Sequence, residues 1–267
     1  MNRRVLVALA CMIAGVNAIP LWLVAKQAFT PERESFAWPP TWLPNETTLE
    51  NFVGAADAVP LGQGLLLSIG VALATVASTL LLALPAAWLA ARRETAGVRL
   101  DRVMVVARLF PTIAIAVPLA VIFVRFGLYN DPSGVGLWLA HTLLGLPFAF
   151  LVLRSAFRGV PTELEEAALL DGASPWRAFV RVSLPLVRPS LGAAAMLVFL
   201  VSWDEFAYAL LLQVTNRTLP PLLFYLSAFG HPGLSSAVAV LMLAPAVVIL
   251  LVLEPALRSG VLAGSGR

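Results

Sequence analysis

The chain has 267 residues, 60% of them hydrophobic and 12% charged, with a mean hydropathy of +0.88 and a net charge of +3. A soluble globular domain carries about 25% charged residues, so this composition excludes a soluble globule and indicates a polytopic membrane protein. The basic residues sit at the ends of apolar runs, which removes the positive balance as a sign of nucleic-acid binding. The single cysteine, Cys11, excludes an internal disulfide and a thiolate metal cluster.

In chain order, the apolar runs predict six membrane spans, at about 5–29, 61–91, 103–126, 136–157, 190–214 and 235–257. Each is long enough for the roughly 20 residues that cross about 30 Å of hydrocarbon. Arg3 and Arg4 open the first run, and Val16-Asn17-Ala18 has the small-x-small form of a cleavage site. The apolar run continues through Ile19, Leu21, Trp22, Leu23, Val24 and Ala25, a length that fits a retained anchor. Pro85, Pro111, Pro118, Pro147 and Pro245 fall within spans and read as kinks in a bundle. Trp22, Trp38, Trp42 and Trp138 lie near span ends, where tryptophan serves as an interfacial anchor.

Arginine and lysine placement sets the orientation. Arg3, Arg4, Arg92, Arg93, Arg99, Arg102, Arg108, Arg154, Arg158, Arg177, Arg181, Arg188, Arg258 and Arg267 fall on one side. Only Lys26, Arg33, Arg125 and Arg217 fall on the other, so both termini and the loops around 92–102 and 158–189 are expected in the cytoplasm. The outer face keeps one sizeable segment, 30–60, too short to be a domain of its own. Glu254 stands four residues before Arg258 and reads as a local helix pair.

The longest polar interval of the C-terminal half is 161–188, which reads as two short helices joined by a tight turn. Thr162 can cap the first, with Glu165 reaching back to the cap amide. Asp171-Gly172 ends it, Gly172 suiting a left-handed position. Ser174-Pro175 starts the second helix, Trp176 and Phe179 share a face, and Leu184-Pro185 closes it. Such a hairpin suits docking into a groove of a soluble partner, although an ordinary structured loop has the same pattern. A second polar feature, Trp203-Asp204-Glu205-Phe206, interrupts the fifth span. Carboxylates there face protein or a water-filled path, which leaves a solute path and an interhelical or subunit contact both open.

No phosphate-binding loop, zinc-protease motif or Cys/His cluster occurs, and His141 and His231 lie far apart. Nothing supports nucleophilic or metal catalysis, so no catalytic residue and no metal ligand is assigned.

Glu166-Ala167-Ala168, three residues, Gly172, nine residues, Val182, one residue and Leu184-Pro185 resemble the EAA motif of ABC-importer permeases, with valine where the motif has isoleucine. The resemblance implies that this hairpin, with Glu166, Ala167, Ala168, Asp171, Gly172, Leu184 and Pro185, is a coupling helix seated in a cleft of an ATP-hydrolysing subunit. Ser202-Trp203-Asp204-Glu205-Phe206 and the later Thr218-Leu219-Pro220 resemble the second permease of maltose-type sugar importers. Those proteins commonly read Trp-Asn-Glu-Phe, so Asp204 is a departure. Gly260-Val261-Leu262-Ala263-Gly264 loosely resembles the GLTAG tail of that group.

The resemblance implies an all-α, six-span, type I ABC-importer permease-like fold in one permease domain over 1–267. It further implies a bacterial cytoplasmic (inner) membrane location and a sugar or related polar solute. The expected partners are a second permease in a heterodimer, two ATP-binding subunits holding ATP and Mg, an extracytoplasmic solute-binding protein and membrane lipid. No cofactor is expected in this chain. The alternatives are the same machinery for a phosphodiester, polyamine or amino acid, an ion-coupled secondary transporter using Asp204 and Glu205, or a membrane scaffold or sensor.

Overall fold

Hydrocarbon offers no hydrogen bonds to a backbone, so a spanning chain closes its own, and here it does so with helices. The computed structural model describes residues 3–264, with side chains over 4–248 and at Leu251. The chain runs through α1 (Arg3–Ala28), α2 (Glu32–Ser35), α3 (Glu50–Ala58), α4 (Leu61–Arg92), α5 (Glu94–Leu109), α6 (Thr112–Arg125) and α7 (Val135–Arg158). It continues through α8 (Thr162–Leu170), α9 (Pro175–Ala178), α10 (Leu184–Leu186), α11 (Arg188–Trp203), α12 (Ala207–Leu212), α13 (Leu219–Ala228) and α14 (Pro232–Gly264). One wide turn of π-helix, Phe179–Ser183, joins α9 to α10. No strand occurs among the described residues.

Among those residues α1, α4 and α7 are each long and apolar enough to cross a membrane alone. Two bent pairs meet the same test together: α5 with α6 at 92°, and Pro175–Leu186 with α11 at 79°. The third expected span, 103–126, is therefore not one straight helix: it is bent, and its helix begins earlier, at Glu94. The break has a local cause. Pro111 has no N–H to donate and pushes its predecessor out of the helical region, and Phe110 is extended at φ −73° and ψ 128°. The fifth expected span, 190–214, is also interrupted: α11 stops at Trp203 and helix resumes only at Ala207. The interval after it, read as loop, contains α13, whose Pro220 and Pro221 sit in the first turn, where a missing N–H costs nothing. The expected Glu254–Arg258 pair and the side chains of the Gly260–Gly264 tail lie outside the described side chains.

The chain divides into two compact units, one of residues up to 64 together with 219–246, the other of 65–218 with the following part of α14. In the first unit the 30–60 segment folds back on the end of α1. Asn51, 3% exposed, donates to the carbonyls of Ala28 at 3.0 Å and Thr30 at 2.8 Å. Phe29 and Phe52 pack with ring centroids 5.2 Å apart, and the indole of Trp22 donates to the carbonyl of Trp42 at 3.0 Å.

In the second unit α4, α7 and α11 meet through small residues, including Ala83, Ala87, Ala149 and Ala194, all fully buried. At Gly145 a Cβ would lie 3.1 Å from Val198 and 3.3 Å from the Thr79 hydroxyl, so a side chain there would push its neighbours back and glycine favours the close approach of the three helices. Asp131 caps α7, accepting from the amide of Val135 at 3.0 Å and from Ser133. The Ser133 hydroxyl, with these amides, holds its carboxyl below the usual value despite partial burial. Gln213 donates to the carbonyl of Asp131 at 2.6 Å and Asn130 to that of Leu212 at 2.9 Å, tying the α6–α7 loop to the end of α12.

Leaving a buried carbonyl without its donor costs about 1–3 kcal/mol. Asn51→Leu, close in shape but unable to donate, is expected to lower the melting temperature of the detergent-purified protein by several degrees. An unchanged melting temperature would remove Asn51 from the support of the 30–60 segment.

Candidate functional site

The hairpin at 161–188 is built by local signals. α8 ends in a full Schellman arrangement: Gly172 donates to the Leu169 carbonyl at 3.0 Å and Ala173 to that of Ala168 at 2.9 Å. Gly172 has φ +85°, the left-handed conformation that the turn requires, and nothing lies within 4 Å of where its Cβ would be. Ser174 caps α9, its hydroxyl accepting from the Arg177 amide at 3.3 Å, with Pro175 in the first turn. The rings of Trp176 and Phe179 lie 5.1 Å apart, as their shared face predicts. Two expectations fail. Pro161, not Thr162, holds the cap position of α8, and no side chain caps it. The second arm does not end at Leu184-Pro185; it passes through Pro185 to Leu186 and turns at Val187.

Glu165 was expected to serve the cap and instead turns inward. Only 8% exposed, it accepts two bonds from Nε of Arg92, at 3.1 and 3.0 Å, and one from Nη2 at 2.5 Å. The indole of Trp88 donates to it at 3.1 Å, and so does the buried hydroxyl of Ser183. Arg92 turns Nη1 to the carbonyls of Phe157, in the last turn of α7, at 3.1 Å and of Val160, just past it, at 3.3 Å. Burial pushes the Glu165 carboxyl up, but the bonds from Arg92, Ser183 and Trp88 and the charge of Arg92 outweigh it and hold it below the ordinary value. Its contribution to stability is thus complete above the ordinary glutamate range, about pH 4.3, and is lost as pH falls through the lowered value. Around this pair Phe179 packs on Trp88 at 5.0 Å and on Phe157 at 5.9 Å. Both arms of the hairpin are therefore fastened to the ends of α4 and α7.

The first part of the motif, Glu166 to Gly172, faces the other way. Glu166, Ala167, Asp171 and Gly172 are exposed and Ala168 is half-buried. Leu170 is 90% exposed and Trp176 60%, so the free face of the hairpin is apolar at its tip and acidic beside it. Leu184 packs inward against the cluster containing Phe157 and Phe179, and Pro185 is half-buried. Sequence reasoning missed Trp88, Arg92 and Ser183. The signals for them were an arginine pair, Arg92-Arg93, ending one span and a second glutamate beside the motif.

The second polar feature is a helix break, not a pair of carboxylates on a continuous helix. Asp204 is exposed, while Glu205 is 8% exposed and accepts from the amides of Ala207 at 3.0 Å, Tyr208 at 2.8 Å and Ala209 at 3.2 Å. Glu205 thus supplies the start of α12 with the acceptors its first amides need. His141 of α7 stands over it, Nδ1 2.7 Å from the Ser202 hydroxyl and Nε2 3.6 Å from the Glu205 carboxylate. Trp203 is buried and stacks on Phe199 at 5.6 Å; Phe206 is half-buried.

Beside this break lies a cavity of about 460 Å³ under the α5–α6 bend, lined in part by Arg108, Phe110, Thr112, Phe148 and Tyr208. Asp204 and Glu205 do not line it. Glu205 acts on it at one remove, by fixing the turn that carries Tyr208.

Residues 80–261 match the family described as binding-protein-dependent transport system inner membrane component. The chain is 33% identical over 263 residues to the sulfoquinovosyl glycerol transport system permease of Agrobacterium fabrum, covering 96% of this chain and 91% of that one. It is also 33% identical over 230 residues to the trehalose transport system permease of Mycobacterium tuberculosis, covering 84% and 83%. The fold matches a chain of a bacterial ABC transporter that imports the acidic polysaccharide alginate, with a TM-score of 0.74 over 96% of this chain and 98% of that one at 16% identity. The hairpin spacing, the helical fold and these similarities agree: the chain belongs to the inner-membrane permeases of binding-protein-dependent ABC importers.

Proposed function

We propose that this chain is one of two permease subunits, paired as a heterodimer, of an ATP-driven importer of sugars or related polar solutes in a bacterial inner membrane. The observation that carries the reading is the two-faced hairpin. Its motif residues Glu166, Ala167, Ala168, Asp171 and Gly172 are turned outward, while Glu165 fastens its other face to α4 and α7. An ATPase subunit seated on the outward face would move both helices together. The family and the carbohydrate named for both relatives support the solute class. Six spans over the whole chain, with both termini and the hairpin in the cytoplasm, fit the arginine distribution. A solute-binding protein on the far side would deliver the solute towards the 30–60 segment. Two copies of an ATP-binding subunit supply ATP and Mg, since the chain has no phosphate loop of its own.

The mechanism follows from stiffness. ATP binding draws the two ATPase subunits together, and each carries a hairpin with it. A hairpin held only by apolar contacts would slide. A buried, multiply bonded carboxylate resists sliding, because separating it from Arg92 leaves an uncompensated buried charge, at a cost of about 3–5 kcal/mol.

Glu166→Lys and Gly172→Asp are both expected to abolish ATP-dependent uptake while the subunit still reaches the membrane. The second places a side chain at φ +85°. Wild-type uptake by both variants would remove the hairpin from the mechanism. A separate expectation concerns the inward face. Arg92→Ala and Glu165→Ala should each lower the melting temperature, and the double variant should lose clearly less than the sum of the two. Strictly additive losses would mean that the pair does not act as one unit.

A further inference from the structure

Three arginines of the second unit are paired with carboxylates, whereas Arg108, which lines a cavity, is not. Arg92, Arg154 and Arg158 reach from their helices to the carboxylates of Glu165, Asp101 and Glu94. Arg108, within the expected third span, has no carboxylate within 4 Å among the described residues. Its guanidinium carbon instead stands 4.0 Å from the ring centroid of Phe148. Stacking on an aromatic face holds a guanidinium plane in place and leaves its edge donors free. A cation at membrane depth is costly, and such residues pair with one another or mark a solute pathway.

The cavity that Arg108 lines fits the second case. Its volume of about 460 Å³ lies in the range of about 300–1,000 Å³ that holds small organic molecules, and its lining is aromatic with a few polar groups, as such sites are. Phe110 and the side of Phe148 not covered by Arg108 offer flat faces suited to the C–H face of a sugar ring. Thr112 adds a hydroxyl and Arg108 the one positive charge, while Tyr208, 1% exposed, closes the wall behind them. Two independent breaks in the helices build it, the α5–α6 bend at Phe110-Pro111 and the α11–α12 interruption whose restart Glu205 caps. We propose that this cavity receives the solute in transit, and that the solute carries an acidic group, a carboxylate, sulfonate or phosphate, that is held by Arg108. The guanidinium fork matches such groups in two-point contact; a neutral sugar would leave it unpaired. This inference rests on the importer reading above and narrows its solute to acidic sugars.

The test places a thiol in the cavity. Leu143, a lining residue 54% exposed, is changed to cysteine in a Cys11→Ser background, and the complete importer is reconstituted in neutral phosphatidylcholine liposomes. Labelling by an anionic methanethiosulfonate is compared with labelling by a cationic one. With Arg108 present the ratio of rates should favour the anionic reagent by about tenfold over the Arg108→Gln variant, the value of roughly one charge-assisted contact, and Arg108→Lys should fall between. Glucuronate at millimolar concentration should slow the anionic labelling, and glucose should not. Equal ratios with and without Arg108, equal protection by the two sugars, or no protection by glucuronate would overturn the proposal. So would loss of labelling on adding phosphatidylglycerol, which assigns the cavity to a lipid, or a thiol that neither reagent reaches in the complete importer, which assigns it to a subunit contact. Labelling needs neither ATP nor uptake. ATP-dependent uptake in the same liposomes tests the importer reading separately.

Discussion

A single buried carboxylate joins three parts of the second unit. Glu165 belongs to the hairpin, Arg92 and Trp88 to the end of α4, and the carbonyls that share the Arg92 guanidinium to the end of α7. Every acceptor in this knot has a donor and the one charge has its counter-charge, which is the condition under which a buried ion pair is tolerated. Removing either partner would orphan the other. The knot therefore has two states, made or broken, and little between. Cores and interfaces behave this way because close packing does not deform continuously. A connection of that kind passes displacement on rather than absorbing it.

Glu205 solves a different problem with the same group. When α11 stops at Trp203, the first amides of α12 lack helical acceptors. Glu205 lies next to them and takes three. The break is thus satisfied from within the chain by a buried carboxylate that would be costly without these donors. His141 and Ser202 close the other side of the group. Asp204, the neighbour, has no part in this and stays exposed. Two adjacent acids with one composition therefore have separate environments because the backbone between them is not helical.

The same contrast marks what could be read in the sequence. The hairpin turn was legible, because Gly172, Ser174 and Pro175 act through their own backbone and need no distant partner. The role of Glu165 was not. Its spacing from Thr162 fits a local cap, and only the tertiary approach of Arg92, far earlier in the chain, diverts it. The break at 204–206 was misread for a related reason. Apolar residues on both sides carry the span pattern through it, and the capping that stabilises the interruption becomes visible only when the helix is already broken. Pro111 announced a kink, but its angle depends on Phe110 being free to become extended. The arginine at 108 was visible, whereas the cavity beside it was not, because a cavity is a property of how four helices fail to meet.

α7 connects these features. It is an unbroken helix of 24 residues, about 36 Å at 1.5 Å per residue. Phe157 at one end packs on the hairpin through Phe179. Phe148, Leu144 and Leu143 lie along the cavity, and His141 faces the α11–α12 break. From Phe157 to His141 is about 24 Å of helix. Pro147 falls in that stretch without breaking it, while Gly145 lets α4 and α11 brace it from two sides. The helices that bend, α5–α6 and α11–α12, thus bend against one that does not. Under the proposed coupling, a push on the hairpin would reach the cavity walls along α7 as movement of a rod, and the two breaks are where the walls would yield to it.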